Sequence, residues 1–224
     1  MPLPSRTKSF YKPNIIACEG KDALRYLHCV LTAFKLNESF QVEDFGGNPE
    51  LKPFIKALRN TPGFVSVKTV TIIRDAEKSA VSAQQSIQNL LRENGYSAPK
   101  TPCSPCKPQN DEIQVITGYA LFPSCSTELI NGTLEDLCLK TLACEDSNEY
   151  LQIVDIALKA ITDNISERKY PHKNRLHSFF SMTNRYVGYK IGEAADRNAF
   201  KFECKEIDSL RLFLLSMLSA SDIE

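Results

Sequence analysis

Three short acidic segments of this 224-residue chain stand where predicted strands end or a helix begins. Glu19 closes one apolar run, Asp75 and Glu77 close another, and Glu135 opens a later predicted helix. In an open α/β sheet, carboxylates at the ends of separate strands can meet while remaining far apart in sequence. Oxygen ligands are those that Mg²⁺ prefers, commonly one or two carboxylates with waters and substrate phosphates. The pattern predicts a divalent-metal site, with Glu135 as the most distant of its ligands.

Glycines accompany these acids. Gly20 follows Glu19 directly, and Gly46 and Gly47 follow the second predicted strand. Because glycine lacks a side chain, it lets a phosphate or a backbone segment come close, so we predict these three as binding residues. If Glu135 also approaches, two metals could be held, one activating water and the other stabilising the leaving oxygen.

Each acid also has a structural interpretation. Glu19 before a glycine could simply end a strand, Asp75 could cap the following helix, and Glu135 could occupy a solvated first helical turn. The metal hypothesis depends on their common placement at predicted strand ends and not on any one of them.

The hydrophobic periodicity predicts alternating strands and helices. Strands are expected at 14–18, 40–45, 65–73 and 113–122, and helices at 21–36, 51–58, 80–94, 134–142, 149–165 and 207–217. Three consecutive β-α units favour an α/β fold with a mostly parallel four-stranded sheet flanked by helices. We predict an α/β domain at 1–145 and a helical C-terminal extension at 146–224 packed on it, with mixed signals at 172–202.

Charge and hydropathy narrow the function classes. The 27 basic and 27 acidic residues balance, which argues against a dedicated non-specific DNA coat, although a local basic face is compatible with neutrality. No run approaches the roughly 18 apolar residues of a membrane span, and the N-terminus lacks the apolar core of a secretory signal. We therefore expect no membrane association and a cytoplasmic location.

The only closely spaced cysteine pair is Cys103 and Cys106, in a segment rich in proline, lysine, asparagine and serine. A structural zinc site needs four ligands, and Cys125 and His172 could be recruited only by folding. An exposed loop with two free thiols is the favoured interpretation.

A loose basic region with interleaved aromatic residues lies near the C-terminus. Its basic members are Lys169, His172, Lys173, Arg175, Arg185 and Lys190. Such a region could face a nucleic-acid backbone, while a solvated face over a helical core is the simpler interpretation. Lys190 is our candidate catalytic residue there, because a lysine near the metals could stabilise transition-state charge.

The motifs together point to a family. The runs Ile16–Asp22, Phe45–Asn48 and Ile72–Glu77 resemble the TOPRIM domain shared by topoisomerases, primases and OLD-family nucleases. The chain resembles more closely an uncharacterised prokaryotic TOPRIM-like family, in which the Gly-Gly motif, the Arg-Asp-Ala motif, the Ser86-Ile87 helix and the segment Leu134–Leu137 occur in this order. The match spans about residues 14–143.

The resemblance implies a TOPRIM-like α/β fold, acid-base chemistry at Glu19, and an Asp-x-Asp pair that holds Mg²⁺ or Mn²⁺. Asp75 and Glu77 occupy the pair, and Glu135 corresponds to an additional metal ligand of OLD-like nucleases. The chain departs from the pattern at Glu77, where the extra methylene shifts the metal geometry and puts catalysis in doubt.

Two functions follow. The first is a magnesium- or manganese-dependent nuclease, or a related phosphodiester-transfer enzyme, acting on DNA or RNA by in-line attack of water with Glu19 as base or ligand. The second is a non-catalytic binding or interaction module working with a partner ATPase, because OLD-like nucleases often work beside ATPases. A homodimer would be needed to cut both strands symmetrically.

Overall fold

The computed structural model describes residues 9–109, 112–143, 146–164 and 171–221. These residues form a four-stranded sheet in the order β2-β1-β3-β4, and all its neighbouring strands are parallel. The strands are β1 (Asn14–Glu19), β2 (Phe40–Gly46), β3 (Thr69–Asp75) and β4 (Ile116–Phe122). The predicted α/β class with a mostly parallel four-stranded sheet is confirmed.

Eight α-helices surround the sheet in the described residues. They are α1 (Gly20–Ala33), α2 (Leu51–Ala57), α3 (Ala80–Glu93), α4 (Leu134–Lys140), α5 (Ser147–Asn164), α6 (Pro171–Met182), α7 (Ile191–Asp196) and α8 (Lys205–Ser221). None of the described helices is both long and apolar enough to cross a membrane.

Strand β1 shows why the sheet is central. Ile16 and Cys18 belong to a hydrophobic cluster on one face, whereas Ile15 and Ala17 belong to a second cluster, and all four are fully buried. A parallel strand with both faces covered is expected to be a continuous apolar run, as Asn14–Glu19 nearly is. The strand therefore reaches its polar last residue, Glu19, only where the covering layers stop.

Side chains fix the starts of α3 and α4. The Ser79 hydroxyl accepts a hydrogen bond from the Ser82 amide at 3.2 Å at the start of α3. In α4, the Asp136 carboxylate accepts a hydrogen bond from the Thr133 amide at 2.8 Å. These contacts satisfy or fix backbone groups that the first helical turn leaves without partners, so both helices begin at defined positions.

The C-terminal helices pack directly on the α/β layers. A Cβ atom at Gly118 of β4 would lie 2.7 Å from Met217 Sδ and 2.8 Å from Phe213 Cζ, so α8 lies against the sheet. A Cβ atom at Gly192 of α7 would lie 2.8 Å from Arg25 Cβ of α1. The predicted domain boundary at 145 falls outside the described residues and stays a prediction.

The third and fourth strands begin later than predicted, at Thr69 and Ile116 and not at residues 65 and 113. The third strand begins at Thr69, because residues Phe64–Ser66 form a 3₁₀ turn after Gly63, whose φ of +87° is left-handed. Val65 is 96% exposed, so its β-branched side chain reflects no buried strand. The uncertain stretch 172–202 contains most of α6 and all of α7.

The Cys103–Cys106 segment is not simply an exposed loop. Cys106 and Thr117 exchange backbone hydrogen bonds of 2.8 and 3.0 Å, and the Cys103 amide donates to the Tyr119 carbonyl at 2.7 Å. The segment therefore covers the edge strand β4. Both thiols are free, and burial raises the pKa of Cys103 to about 12.

Candidate functional site

The sheet topology brings the predicted acids to one edge. Glu19 ends β1, Asp75 ends the neighbouring parallel strand β3, and Glu135 lies in the first turn of α4. We call Glu19, Asp75, Glu77 and Glu135 the carboxylate edge. The Asp75 carboxylate accepts a hydrogen bond from the amide of Leu134, the neighbour of Glu135, at 2.8 Å, and Glu77 follows Asp75 by two residues, so all four acids belong to the same edge of the sheet.

The register between β1 and β2 is irregular at Glu19. Cys18 pairs with Asp44 of β2, but Glu19 pairs with Gly46, so one residue of β2 is skipped. The Asp44 carboxylate bridges this irregularity: its Oδ1 accepts hydrogen bonds from the amides of Gly20, at 2.9 Å, and Gly46, at 2.6 Å. Asp44 thus fixes the turn after Glu19 and the turn after β2 together.

The backbone conformation favours glycine at two of the three predicted binding glycines. Gly20 and Gly46 have φ of +86° and +90°, which side chains rarely adopt, and Gly20 has nothing within 4 Å of where a Cβ would stand. At Gly47 the nearest atom to a Cβ would be Pro49 Cδ at 3.7 Å, an ordinary contact. Open space beside Gly20 leaves room next to Glu19, whereas backbone geometry does not require glycine at 47.

Arg74 connects three parts of the site. Its guanidinium is 3% exposed, donates to Asn48 Oδ1 at 2.6 Å and to the Asp75 carbonyl at 3.2 Å, and places Nε 3.7 Å from Glu19 Oε2. A buried arginine is always charged, so it supplies a fixed counter-charge to the carboxylate beside it.

Glu19 is nevertheless incompletely satisfied. Burial raises its pKa, Arg74 opposes that rise, Glu77 adds to it, and the amides of Asn48 and Asp75 lower it. Its Oε2 is a buried oxygen with no hydrogen-bond partner among the described residues. A carboxylate with a raised pKa and a spare oxygen can hold a proton or a cation.

Asp75 has the most perturbed carboxylate of the edge. Its pKa is raised to about 7: burial contributes most, the charges of Glu135, Glu19 and Glu77 act in the same direction, and the hydrogen bond from the Leu134 amide opposes the rise. That hydrogen bond, 2.8 Å from Leu134 N to Asp75 Oδ1, ties the end of β3 to the first turn of α4.

Glu77 occupies an unusual backbone position. Its φ is +56°, a left-handed conformation that side-chain-bearing residues adopt infrequently. Its amide and carbonyl exchange hydrogen bonds of 2.8 and 2.9 Å with Gly132, which fix the position. The exposed Glu77 side chain therefore extends from a turn that is held beside the start of α4.

Glu135 is paired with a lysine from a distant helix. Its carboxylate is 8% exposed, and its Oε1 lies 3.6 Å from the ammonium of Lys173 in α6. The sequence places Lys173 in the basic region, but it gives no sign that this lysine in particular meets Glu135.

Lys190 does not make such a contact. It is exposed and precedes α7, and within the described part of the chain it forms no ion pair with Glu19, Asp75 or Glu135. The Gly192 amide donates to Asp22 Oδ1 at 3.0 Å, so the start of α7 lies beside the start of α1 and near the carboxyl end of β1.

Two arginines of the basic region contact residues outside the carboxylate edge. Arg175 donates two 2.8 Å hydrogen bonds to Asp155 of α5, and Arg185 lies over the Tyr186 ring at 5.5 Å. Lys169 lies outside the described residues, as does the side chain of His172. The zinc alternative with Cys125 and His172 therefore stays a prediction.

The carboxylate oxygens of the edge are ligands that suit a hard cation, but they do not form a coordination sphere in the described residues. The unpartnered oxygen of Glu19 and the mutual repulsion at Asp75 both favour an added divalent ion. Across the described ranges, however, no three His, Cys, Asp or Glu side chains are grouped tightly enough to hold one. Arg74, the Leu134 amide and Lys173 each engage one carboxylate instead.

The sequence did not predict three of the contacts around the candidate site. Asp44, Asn48 and Lys173 acquire their roles through contacts with residues 24, 26 and 38 positions away, respectively. Asn48 carried a local signal because it follows the glycine pair of the motif, and Lys173 was noted only as a member of the basic region.

Nearly the whole chain matches one protein family. Residues 13–219 match the model of a family described as "Protein of unknown function (DUF3226)", and the chain belongs to it. A search of curated proteins found no match.

Two solved structures share the fold. The C-terminal region of the Xanthomonas campestris pv. campestris OLD protein is 11% identical, with a TM-score of 0.50 over 96% of this chain and 98% of that one. The C-terminal region of the Burkholderia pseudomallei OLD protein is 15% identical, with a TM-score of 0.50 over 95% and 100%. At these identities, the similarity establishes the fold alone.

Proposed function

We propose that the protein is a divalent-metal-dependent nuclease or related phosphodiester-transfer enzyme of TOPRIM type that acts on DNA or RNA. The observation that carries this proposal is the placement of Glu19 and Asp75 at the ends of neighbouring parallel strands, with Asp75 hydrogen-bonded to the first turn of the helix that contains Glu135. The fold shared with the OLD C-terminal regions and the motif order support it.

Each residue has a distinct part. Glu19, with its raised pKa and spare oxygen, holds or accepts the proton of the attacking water. Arg74 fixes the position of that carboxylate from its buried side. Lys190 stands two residues before Gly192, whose amide donates to Asp22 of α1, and its proposed part is to supply positive charge toward the phosphodiester.

The edge would hold Mg²⁺ or Mn²⁺ through Asp75, Glu77 and Glu135, with Glu19 contributing as ligand or base. Such an ion, when bound, activates water and stabilises charge on the leaving oxygen. Gly20, with open space beside its backbone, lets the substrate phosphate approach Glu19. Gly46 and Gly47 are proposed to line the same approach from β2.

The second candidate is a non-catalytic binding module that works with a partner ATPase. Glu77 in place of aspartate and the lack of a close group of three ligands in the described residues favour it. The proposed partner comes from the resemblance to OLD-family nucleases. A homodimer is the assembly proposed for symmetric cleavage of two strands.

The test is cleavage of supercoiled plasmid, single-stranded DNA and single-stranded RNA with Mg²⁺ or Mn²⁺. Glu19→Gln and Asp75→Asn keep the side-chain size and remove the charge, so both should abolish cleavage by the folded protein. Glu38→Gln is the matched control, because Glu38 is exposed and contacts Asn37.

The outcomes separate the candidates. Cleavage that requires metal and is lost only in the two edge variants supports the enzyme. Metal binding without cleavage of any substrate supports the binding module. Cleavage that persists in both edge variants would place the active site elsewhere and overturn the proposal.

A further inference from the structure

Three acids of the carboxylate edge each contact another group of the protein. These partners differ in their exposure to water. Glu19 faces Arg74, which is 3% exposed and also bonded to Asn48. Asp75 accepts from a backbone amide at the start of α4. Glu135 faces Lys173, whose side chain is 51% exposed. Of the two charged partners, Arg74 is buried, whereas the side chain of Lys173 is half exposed to water.

The Glu135 carboxylate needs a counter-charge because only 8% of its surface is exposed. A buried charge without a partner is costly, and a cation within about 4 Å offsets much of that cost. Lys173 supplies the cation from the first turn of α6, across the contact between α4 and α6. The flexible lysine stem can also swing away, since it ends in a compact, strongly hydrated charge.

We propose that Lys173 is an exchangeable counter-ion, which neutralises Glu135 in the metal-free protein and competes with Mg²⁺ or Mn²⁺ for the same carboxylate. This inference rests on the proposed metal function of the edge. Oε1 is the oxygen nearest the ammonium, and two cations cannot share it at close range without repulsion. Lys173 therefore acts on metal binding through Glu135, as a positioning residue.

The measurement is Mn²⁺ affinity of the full chain, followed by electron paramagnetic resonance of the free ion and by calorimetry. Lys173→Met removes the charge and keeps much of the apolar stem. Without the competitor, Mn²⁺ should bind roughly fivefold more tightly, the order expected for one partly exposed ion pair. The gain should persist at high salt, because a direct contact is less screened than a distant charge.

Lys140→Met is the matched control. Lys140 lies at the last turn of α4, the same helix as Glu135, but it interacts electrostatically with Glu206. Its removal changes the net charge equally, so it should leave Mn²⁺ affinity within about twofold at high salt.

A double-mutant cycle identifies Glu135 as the shared partner. In a Glu135→Gln background, Lys173→Met should no longer tighten Mn²⁺ binding. A gain of equal size in both backgrounds would show a general charge effect and overturn the inference.

Two further results have separate meanings. If wild type binds Mn²⁺ and Lys173→Met binds it no more tightly, the counter-ion inference fails and the metal function stands. If neither protein binds Mn²⁺ or Mg²⁺, the proposed metal function fails and the inference fails with it. Circular dichroism of each variant establishes that the comparisons are between folded proteins.

Discussion

Asp75 Oδ1 accepts a hydrogen bond from the Leu134 amide at 2.8 Å, which joins the end of β3 to the start of α4 across 59 positions of sequence. The same carboxylate is buried, and its pKa is raised to about 7. One residue thus links two elements of the site while carrying a charge that the metal-free protein does not favour. A cation at this edge would relieve that conflict.

The pH dependence of stability follows from Asp75. Its pKa is about 7 in the folded protein and about 3.9 in an unfolded chain, so the folded state binds the proton more tightly. The stability contributed by protonated Asp75 is fully present below about pH 4 and is lost as the pH rises through 7. Asp75→Asn should therefore stabilise the metal-free protein by ~2–4 kcal/mol at pH 8.

Urea unfolding of wild type and Asp75→Asn at pH 4, 6 and 8, with a chelator present, measures this difference. The advantage of the variant should shrink toward pH 4. A difference that is the same at all three pH values would show that Asp75 keeps an ordinary pKa. Saturating Mg²⁺ should stabilise wild type more than the variant.

Asp44 should be needed for stability through its two amide partners. Asp44→Ala leaves the amides of Gly20 and Gly46 without this acceptor, and we expect a loss of ~2–4 kcal/mol in the free energy of unfolding. Asp44→Asn keeps an acceptor oxygen and should lose less than half as much. Urea unfolding measures both, and equal losses would contradict the hydrogen-bond account.

Arg74 should be needed because Glu19 remains buried. Arg74→Met removes the cation 3.7 Å from Glu19 Oε2 and should destabilise the protein by ~3–5 kcal/mol at pH 8. Glu19→Gln in the same chain should recover part of this loss, since it removes the unpaired charge. Strict additivity of the two variants in chemical denaturation would mean that the pair is not coupled.

Gly118 should be needed for the packing of α8. Gly118→Ala places a Cβ 2.7 Å from Met217 Sδ, and we expect a loss of ~1–3 kcal/mol from overpacking. Met217→Ala frees space there, so the alanine at 118 should cost less in that background. Thermal unfolding of the four proteins tests this, and an unchanged cost would place α8 away from β4.

The sequence predicted the sheet and its acidic edge because both depend on local patterns. Apolar runs that stop at Glu19 and Asp75 mark strand ends, and parallel topology then brings those ends together. The third strand was predicted four residues too early, because β-branched residues before Thr69 also suit an exposed turn.

The partners of the acids could not be predicted in this way. Arg74 is adjacent to Asp75, yet its guanidinium also reaches Asn48 and Glu19 on neighbouring segments. Lys173 meets Glu135 only through the packing of α6 against α4. Such contacts depend on tertiary packing and leave no periodic signal in the chain.

The most direct test of the central claim is the position of a bound metal. Crystals soaked in Mn²⁺ would give an anomalous signal at each bound ion. We expect a peak at the carboxylate edge, with oxygen ligands from Asp75 and at least one of Glu19, Glu77 and Glu135. A protein that binds Mn²⁺ in solution but shows its peaks only at other acids, such as Glu203 and Asp208, would contradict it.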